Sequence, residues 1–343
     1  MSKSVRETIL AALAALLWAG GPAFAQDKPE LTTVRLGVGG KAALYYLPLT
    51  ITERLGYFKD EGLNVEISDL QGGSKTMQAL VGGSIDIASG AYEHTITIQP
   101  KGQNIQAFVA QGRYPGFALG VAKAKAAAYK SPKDLKGMKI GVTAPGSGTQ
   151  TFVEYLLNKD GLKGSDVAFI GVGSSAVGAA AMRTGKIDAI SNIDPLMTEL
   201  ETSGDVVIMV DTRTTKGTLA IFGSPMPAAT LYASREFIAK NPRTVQALTN
   251  AMVRALAWIQ KATPAQVAET VPSQYVHNRE LYLASFAKVR EGISPDGLFP
   301  REGVENTLRM LKEFDAGVKA ATIRLDETYT NRFVEQALKT VKR

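Results

Sequence analysis

Two short stretches of this chain, Gly83-Ser84-Ile85-Asp86-Ile87-Ala88-Ser89 and Gly185-Lys186-Ile187-Asp188-Ala189-Ile190-Ser191, have nearly the same pattern, 102 residues apart (86 to 188). In both, a run typical of a helix, Thr76 to Val81 or Ala179 to Arg183, ends near a Gly that fits a helix C-cap. A short apolar run broken by one Asp follows, which indicates a buried strand whose carboxylate lies at its start or in a loop. The chain is therefore predicted to contain a repeated unit of helix and strand.

The repeat continues upstream. Val65 to Gly73 corresponds to Val167 to Ser175, and both stretches predict a strand followed by a loop of small residues. The earlier strand Val34 to Val38 corresponds to Lys139 to Val142. Alternating strands and helices favour mostly parallel sheets flanked by helices, and ligands bind beyond the carboxyl ends of such strands. We therefore expect an α/β protein with two sheets that face each other across a cleft.

Length and composition limit the class of protein. The chain has 343 residues, 45% of them apolar, which is enough for two domains, and its formal net charge is +7. The basic residues are scattered singly, so the charge does not predict a nucleic-acid partner. The chain contains no Cys, which excludes disulfide bonds, Cys nucleophiles and a lipid anchor on an N-terminal Cys.

Residues 1–25 have the pattern of a secretory signal peptide. Lys3 and Arg6 precede the apolar run Ile9 to Ala19, and Ala23-Phe24-Ala25 is a small-x-small cleavage site before Gln26. The apolar run is short for a membrane span. We therefore expect a cleaved signal peptide and a soluble periplasmic protein.

Small or polar residues follow the predicted strands, where a ligand would bind. Gly72 to Ser74, Ser147 to Thr149 and Gly171 to Ser175 each lead into a helix. Free N–H groups at such a helix start can bind an anion, or they can be capped in the ordinary way and face water. Gly90 to His94 and Asn192 to Pro195 follow the two repeated strands. We expect these loops to meet in the cleft.

Three motifs resemble a known family. Gly56-Tyr57-Phe58-Lys59-Asp60-Glu61-Gly62-Leu63-Asn64-Val65, followed by Gly83-x-Ile85-Asp86 and Asp134-Leu135-Lys136-Gly137-x-Lys139-Ile140-Gly141-Val142, resembles the substrate-binding proteins of ABC importers for sulfonates, taurine, nitrate and thiamine-precursor pyrimidines. The resemblance covers roughly Val34 to Glu269. It implies a type II periplasmic binding protein fold, in which two lobes close on a small organic ligand, such as a sulfonate, a carboxylate or an aromatic or heterocyclic compound, and present it to a membrane permease.

The resemblance also implies a discontinuous first lobe, with residues 31–119 and 226–343 in lobe 1 and residues 120–225 in lobe 2. The chain is expected to cross between the lobes near the strands Phe117 to Ala122 and Ala228 to Ala233, which would form a two-strand hinge. Because the chain has no Gly-x-x-x-x-Gly-Lys-Ser/Thr loop, the ATPase must be a separate protein. We expect a monomer without a cofactor or a metal, whose partners are a small molecule and an inner-membrane permease.

Ligand contacts in the family come from the first loop, the start of the second helix, the loop after the third strand and the matching loops of the other lobe. Carried over by position, the resemblance implies these ligand-binding residues: Lys41, Tyr45, Tyr46, Gly73, Ser74, Tyr92, Glu93, His94, Ser147, Gly148, Thr149, Ser174, Ser175, Asn192 and Asp194.

Asp194 departs from the family pattern, because several members carry an aromatic residue before the Pro at this place. With Glu93 opposite, Asp194 would repel a simple oxyanion unless Lys41 or Arg113 offsets its charge. The site is therefore expected to accept a ligand with polar donors and a flat apolar part. The side chains expected to offer stacking area are Tyr45, Tyr46 and Tyr92.

Two other classes of function stay open. A periplasmic sensor subunit would bind the same ligand and dock on a receptor, and the sequence does not separate it from a permease-docking protein. An enzyme is the other class, since His94 beside Glu93 could act as a general base for Ser147. The chain has no Gly-x-Ser-x-Gly elbow and no second His close to His94 that would indicate a metal site. It also lacks the Cys-rich motif of the relatives that make a thiamine pyrimidine. We therefore expect a binding protein and no catalytic residue.

Overall fold

A computed structural model describes residues 28–340, so the predicted signal peptide lies outside the described residues. The strands of this part form two five-stranded sheets, each flanked by helices. The first sheet contains β1 (Thr33–Val38), β2 (Asn64–Asp69), β3 (Ile87–Ala91), β4 (Ile105–Ala110) and β10 (Ala229–Ser234), in the order β2-β1-β3-β10-β4. The second sheet contains β5 (Ala118–Ala122), β6 (Lys139–Val142), β7 (Ala168–Gly171), β8 (Ala189–Asn192) and β9 (Val206–Asp211), in the order β7-β6-β8-β5-β9.

The two sheets have the same mixed arrangement. In the first, β1 pairs in parallel with β2 and β3, and β10 runs antiparallel between β3 and β4. In the second, β6 pairs in parallel with β7 and β8, and β5 runs antiparallel between β8 and β9. In each sheet, one strand therefore runs antiparallel to the other four: β10 in the first sheet and β5 in the second. It is the first strand that the chain forms after it crosses from the other sheet. The predicted pair of lobes with mostly parallel sheets is confirmed.

The chain crosses between the sheets twice, and the two crossing segments are hydrogen-bonded to each other. Residues 111–117 connect β4 to β5, and residues 223–228 lead into β10. The N–H of Ala228 donates to Gly112 O over 3.0 Å, and the N–H of Met226 donates to Arg113 O over 3.2 Å. Strand β5 pairs within the second sheet from Ala118 onward, so the sheets divide just before the expected lobe boundary at 119/120.

The repeated Asp residues lie directly before the buried strands, in agreement with the prediction from the sequence. The Asp86 carboxylate accepts the N–H of Arg35 on β1 at 2.9 Å and pairs with its guanidinium at 2.6 Å. The Asp188 carboxylate accepts the N–H of Lys139 on β6 at 2.8 Å and pairs with Lys125 at 2.7 Å. Each carboxylate thus joins neighbouring strands at the amino end of its sheet, and the opposite ends carry the loops that border the cleft.

The helices cover the faces of both sheets. The α-helices are α1 (Leu47–Arg54), α2 (Tyr57–Asp60), α3 (Gly73–Val81), α4 (His94–Thr97), α5 (Lys123–Ala126), α6 (Gly148–Lys159), α7 (Ala176–Arg183), α8 (Leu196–Thr202), α9 (Thr215–Phe222), α10 (Arg235–Lys240), α11 (Pro242–Lys261), α12 (Pro264–Thr270), α13 (Arg279–Val289), α14 (Arg301–Phe314), α15 (Ala316–Ala320) and α16 (Arg332–Thr340). Short 3₁₀ helices lie at Leu44–Tyr46, Gln99–Lys101, Pro132–Leu135, Gly164–Asp166, Ser273–Tyr275, Arg290–Gly292 and Leu325–Glu327.

Helix α11 shows how the apolar pattern of the sequence becomes core packing. Its residues at helical spacing are all buried: Val245, Leu248, Met252, Leu256 and Ile259. This face packs against α1, α2 and α16, so the C-terminal helices complete the core around the first sheet. Burial of one such side chain contributes about 1.5–3 kcal/mol. In the part of the chain that the structure describes, no helix has the length and apolar character that crossing a membrane requires.

Candidate functional site

The loops at the carboxyl ends of the strands meet across the cleft, where the two lobes are in direct contact. The N–H of Ser74 donates to Ser147 Oγ over 3.0 Å, and Ser74 Oγ donates to Pro145 O over 2.8 Å. The N–H of Leu44 donates to Asp194 O over 2.9 Å. The structure therefore shows a closed cleft.

A cavity of about 20 Å³, here called the inner chamber, lies between the lobes. Its walls are the loops after β1, β3, β6 and β8, together with the starts of α3 and α6. The lining residues are Gly39, Tyr45, Tyr46, Gly73, Ala91, His94, Phe117, Thr143, Ser147, Gly148, Thr149 and Ile193. Seven of these are among the residues that the resemblance implied, and they come from both lobes. Their contact with a ligand stays a prediction.

His94 brings a buried ring nitrogen to the inner chamber. A Cβ atom on Gly73 would lie 2.9 Å from His94 Cε1, so the start of α3 needs a glycine where it passes the ring. Nδ1 lies 3.3 Å from the Tyr232 hydroxyl, whereas Nε2 has no hydrogen-bond partner within residues 28–340. Burial lowers the pKa of His94 to about 4, so the ring is neutral at neutral pH. Its tautomer then decides whether Nε2 accepts or donates a hydrogen bond.

A second cavity of about 20 Å³, here called the side chamber, adjoins the inner chamber. Both chambers are lined by Tyr45, Phe117 and Gly148. The rings of Tyr45 and Phe117 are stacked, with centroids 5.6 Å apart and planes 25° apart. The other lining residues of the side chamber are Glu93, Pro115, Thr151, Phe152, Phe222, Met226, Pro227, Ala228 and Met310. The side chamber is therefore mostly apolar, with the carboxyl group of Glu93 in its wall.

The carboxyl group of Glu93 is buried and lies against Gly148. A Cβ atom added to Gly148 would overlap Glu93 Oε1. In the described part of the chain, Oε1 has no hydrogen-bond partner. Burial raises the pKa of Glu93 to about 7, because water no longer solvates the ionised form. An N–H or O–H group of a ligand would supply the missing partner.

Asp194 lines a third cavity of about 30 Å³, here called the hinge chamber. The hinge chamber shares Tyr45 and Ile193 with the inner chamber and extends along the crossing segments. Asp194 Oδ2 and Gln111 Oε1 have no hydrogen-bond partners among residues 28–340. Asp194 and Glu93, which the sequence predicted to face each other, thus line separate cavities that meet at Tyr45.

Arg213 is the cation beside Asp194. Its guanidinium is buried and lies 3.5 Å from Asp194 Oδ1 and 2.7 Å from Asp211 Oδ2. It also lies 3.1 Å from Glu201, which contacts Lys288 on α13 at 2.5 Å. Desolvation nevertheless raises the pKa of Asp194, against the attraction of Arg213. The burial of this carboxyl group thus outweighs its contact with the cation.

Neither Lys41 nor Arg113, the two cations considered from the sequence, pairs with Asp194 in the described part of the chain. The Lys41 ammonium pairs with a glutamate on α1 at 2.8 Å, and the guanidinium of Arg113 donates to a main-chain carbonyl oxygen over 2.8 Å. Sequence reasoning missed Arg213. The available signal was the Asp211-x-Arg213 pattern directly after a predicted strand, which places a pair of charges at the carboxyl edge of the second sheet.

Several predicted ligand residues lie outside the three chambers. Tyr92 lies in the turn after β3 and packs into the core of the first lobe, whereas Ala91, the last residue of β3, lines the inner chamber. The Tyr92 hydroxyl lies 2.5 Å from Thr328 Oγ1, and its ring packs on Phe299, so it offers no stacking area to a ligand. The Asn192 amide donates to a main-chain oxygen over 2.8 Å. The others outside the chambers are Lys41, Ser74, Ser174 and Ser175.

His94 and Ser147 both line the inner chamber but are not paired. Among the described residues, no hydrogen bond joins them, because Ser147 Oγ binds Ser74 and His94 Nδ1 binds Tyr232. Residues 28–340 also contain no group of three or more His, Cys, Asp or Glu side chains placed to hold a metal ion. In this closed structure, Ser147 and His94 do not form the nucleophile–base pair that the enzyme alternative requires.

Comparison with known proteins relates this two-lobed chain to a family. A sequence profile of the NMT1-like family matches residues 27–272. The chain belongs to the NMT1-like family. This NMT1-like protein is 52% identical to a protein of Bordetella bronchiseptica RB50 whose structure has been solved, over 91% of this chain and 98% of that one, with a TM-score of 0.89.

More distant similarities agree with the fold. The NMT1-like protein matches the alkanesulfonate-binding protein SsuA from Xanthomonas axonopodis pv. citri with a TM-score of 0.70 and 16% identity, over 88% of this chain and 99% of that one. It is 25% identical to YtlA of Bacillus subtilis (strain 168), which is named as a binding protein, over 74% of each chain. It is 28% identical to 4-amino-5-hydroxymethyl-2-methylpyrimidine phosphate synthase of Schizosaccharomyces pombe, over 62% of this chain and 61% of that one. The fold expected from the resemblance, that of the periplasmic binding proteins, is confirmed.

Proposed function

We propose that this protein is a periplasmic receptor for a small organic solute, which it delivers to an ABC permease with a separate ATPase. Its fold and its similarity to proteins named as binding proteins support this proposal. Export would depend on a signal peptide at residues 1–25, outside the described residues. The alternative is that the protein docks on a sensor receptor in place of the permease, and the same ligand site would serve this function.

Buried polar atoms without partners are the observation that carries the proposal. Within residues 28–340, six buried side-chain nitrogen or oxygen atoms have neither a hydrogen-bond partner nor an ion pair. Five of them belong to residues that line the three chambers: Tyr45 Oη, Glu93 Oε1, His94 Nε2, Gln111 Oε1 and Asp194 Oδ2. An unpaired buried group costs about 1–3 kcal/mol. A bound molecule that offers partners to these atoms would therefore be stabilised in the closed cleft.

We infer that this ligand carries hydrogen-bond donors and a flat apolar part. Glu93, Gln111 and Asp194 each leave an oxygen without a partner, an amide oxygen only accepts hydrogen bonds, and a ligand with donors would favour the ionised, accepting form of the two carboxyl groups against their raised pKa. The stacked rings of Tyr45 and Phe117 supply apolar surface nearby. The lining residues of the inner and side chambers, as the structure describes them, include no Lys or Arg, and Arg213 of the hinge chamber is already paired with three carboxylates. A heteroaromatic amine fits this site better than a sulfonate or nitrate.

Closure of the cleft would depend on the ligand. The two crossing segments, residues 111–117 and 223–228, provide the hinge, and the contact between Ser74 and Ser147 closes the opposite side. A ligand shifts such an equilibrium only by its difference in affinity for the two states. The inner chamber provides that difference, because its walls come from both lobes.

Catalysis is the second candidate, because one relative is named as a synthase. Glu93, with a pKa raised to about 7, and His94 are the residues that could exchange protons there. The hydrogen bonds of Ser147 and His94 with other partners favour binding without chemistry. Recovery of the bound compound unchanged would distinguish a receptor from an enzyme.

A thermal-shift screen tests the proposal on protein that has been unfolded and refolded to remove any carried-over ligand. The panel contains alkyl and aryl sulfonates, aliphatic and aromatic carboxylates, nitrate, aminopyrimidines and other heteroaromatic amines. A ligand at 1,000 times its Kd stabilises the folded state by about 4 kcal/mol. For a chain of this size, we expect a rise in Tm on the order of 5 to 10 °C.

The screen includes a matched pair of variants. Glu93→Gln removes the buried carboxylate and should reduce the rise in Tm that amines cause. Glu236→Gln changes an exposed glutamate on α10 and should leave this rise in Tm unchanged. A panel without any shift would contradict the receptor proposal. Consumption of the stabilising compound, followed by chromatography, would support the enzyme.

A further inference from the structure

Lysines that stand singly in the sequence gather at one end of the second sheet. Residues 123–139 contain six Lys, one Asp and no Arg, which gives this segment a formal charge of +5. All six are exposed: Lys123, Lys125, Lys130, Lys133, Lys136 and Lys139. Lys163 and Lys186, from the segments before β7 and β8, are exposed at the same end. These eight side chains are here called the basic face.

The basic face lies at the amino end of the second sheet, away from the cleft. Lys139 begins β6 and pairs in register with Ala168, which begins β7. Strand β5 runs in the opposite direction, so that Val121, near its end, lies opposite Ala189 at the start of β8. Lys123 follows directly after β5. A partner on the basic face would therefore leave the loops of the cleft free, because they lie at the other end of the sheet.

The carboxylates at this end leave most of the lysines unpaired. Lys125 and Lys136 each have a carboxylate nearby, at 2.7 and 3.9 Å. Within the described part of the chain, the other six ammonium groups form no ion pair. Arg183, close to the same end, is offset by two carboxylates of its own. Four aspartates each accept the main-chain N–H of a lysine of the basic face over 2.6 to 3.2 Å: Asp134, Asp160, Asp166 and Asp188.

The equivalent end of the first sheet carries paired charges instead. Arg35 on β1 pairs with Asp86 at 2.6 Å, and Arg235, which follows β10, pairs with Glu327 at 2.7 Å. Because the two sheets have the same arrangement of strands, the fold itself does not require lysines at this end. The basic face is therefore a feature of the second lobe alone and needs a separate explanation.

The composition of the basic face fits an anionic bilayer better than a folded partner. Interfaces between proteins are enriched in Arg and aromatic residues and depleted in Lys. Flexible lysines need no defined geometry at a charged lipid surface, and each one near that surface strengthens binding about fivefold. Residues 123–139 expose no large apolar side chain that would insert between lipid tails. The contact with lipid would therefore be electrostatic.

We propose that the basic face binds the anionic head groups of the membrane that holds the permease. This attachment keeps the protein close to the permease while the cleft stays free to take up solute. The inference rests on the export in the proposed function and adds an attachment surface to it. Such binding is reversible and weakens with salt, because the screening length falls from about 30 Å at 0.01 M to about 10 Å at 0.1 M ionic strength.

The test is co-sedimentation of the exported form, from Gln26 onward, with phosphatidylcholine vesicles that contain or lack phosphatidylglycerol. The predicted signal peptide is left out because its apolar run would itself bind lipid. We expect binding only to the vesicles that contain phosphatidylglycerol, with a loss of roughly tenfold or more between low and physiological ionic strength.

Two triple variants with the same net charge locate the contact. Lys123→Gln/Lys130→Gln/Lys133→Gln removes three unpaired lysines of the basic face and should weaken vesicle binding by roughly tenfold or more. The matched control changes three exposed lysines on α2, α11 and α16 of the first lobe, and it should bind like the wild type: Lys59→Gln/Lys261→Gln/Lys339→Gln. Circular dichroism checks that both variants fold.

Either of two outcomes would overturn the inference. One is equal binding, or no binding, to vesicles with and without phosphatidylglycerol. The other is an equal loss in the two triple variants, since the total charge and not the basic face would then attract the protein. Neither outcome decides the proposed function, because the thermal-shift screen tests the cleft, and the lysines of the basic face lie at the other end of the sheet.

Discussion

The main-chain N–H of Ser74 on the first lobe donates to the Oγ of Ser147 on the second lobe over 3.0 Å. This contact closes the cleft on the side away from the crossing segments. Ser147→Ala would remove the acceptor and cost about 1 kcal/mol, or about a fivefold change in the closed population. We expect small-angle scattering of the ligand-free variant to show a larger radius of gyration. Ser203→Ala, which removes a hydroxyl bonded within the second lobe, should match the wild type.

Glu93 and His94 should have opposite effects on the pH dependence of stability. The pKa of Glu93 is raised from 4.5 to about 7 by burial, so the folded state loses stability as the pH rises through that range. The pKa of His94 is lowered from 6.5 to about 4, so the folded state gains stability as the pH rises through that range. Each contribution is about 3 kcal/mol, and the two oppose each other between pH 4.5 and 6.5.

We therefore expect these two contributions to cancel in wild-type protein over that interval, whereas the Glu93→Gln variant should become more stable as the pH rises. Urea unfolding at several pH values measures the difference. Glu236→Gln, on the exposed side of α10, should follow the wild type. If the free energy of unfolding varies with pH in the same way in Glu93→Gln and in wild type, Glu93 does not have the raised pKa that its burial implies.

Arg213 should be essential for the stability of the second lobe. In Arg213→Met, the fully buried Asp194 would lose its cation, and an uncompensated buried charge costs about 3–5 kcal/mol. Arg183→Met removes an exposed guanidinium that also pairs with two carboxylates, and it should cost about 1 kcal/mol or less. Equal losses in the two variants, measured by chemical unfolding, would contradict the role given to Arg213.

Gly148 should be required for an open passage between the inner and side chambers. A Cβ atom there would overlap Glu93 Oε1 and lie 3.0 Å from the Phe117 ring. We expect Gly148→Ala to fold and to bind any ligand from the screen at least tenfold more weakly. Gly82→Ala is the matched control, because Gly82 is an exposed glycine with a φ of −77° that lies outside the three chambers. Equal affinities in the two variants would exclude Gly148 from the binding site.

The positions of the repeated strands along the chain could be predicted from the sequence, because each strand is marked by a local pattern of apolar residues. Asp86 and Asp188 marked equivalent strand starts, and each carboxylate binds a main-chain N–H of the neighbouring strand. Seven predicted residues also reached the inner chamber, since loops at the carboxyl ends of parallel strands meet in space.

The rest of the site depends on contacts that no local pattern contains. Phe152, Phe222 and Met310 come from three separate helices, and only the docking of α14 beside α6 and α9 makes them one apolar chamber. Tyr92 was expected in the cleft but contacts Thr328 and Phe299, and no local pattern shows that these distant residues pack against the turn after β3. Phe117 was assigned only to a strand, although its ring lines both chambers.

The hydrogen bonds between the two crossing segments limit how the lobes can move. Because Gly112 and Arg113 on one segment are bonded to Ala228 and Met226 on the other, the pair should bend as a single ribbon. Such a pair of segments bends easily out of its own plane, whereas the hydrogen bonds resist sliding or rotation of one segment relative to the other. Opening should therefore follow one dominant axis, so that every closure returns Ser74 to the same position opposite Ser147.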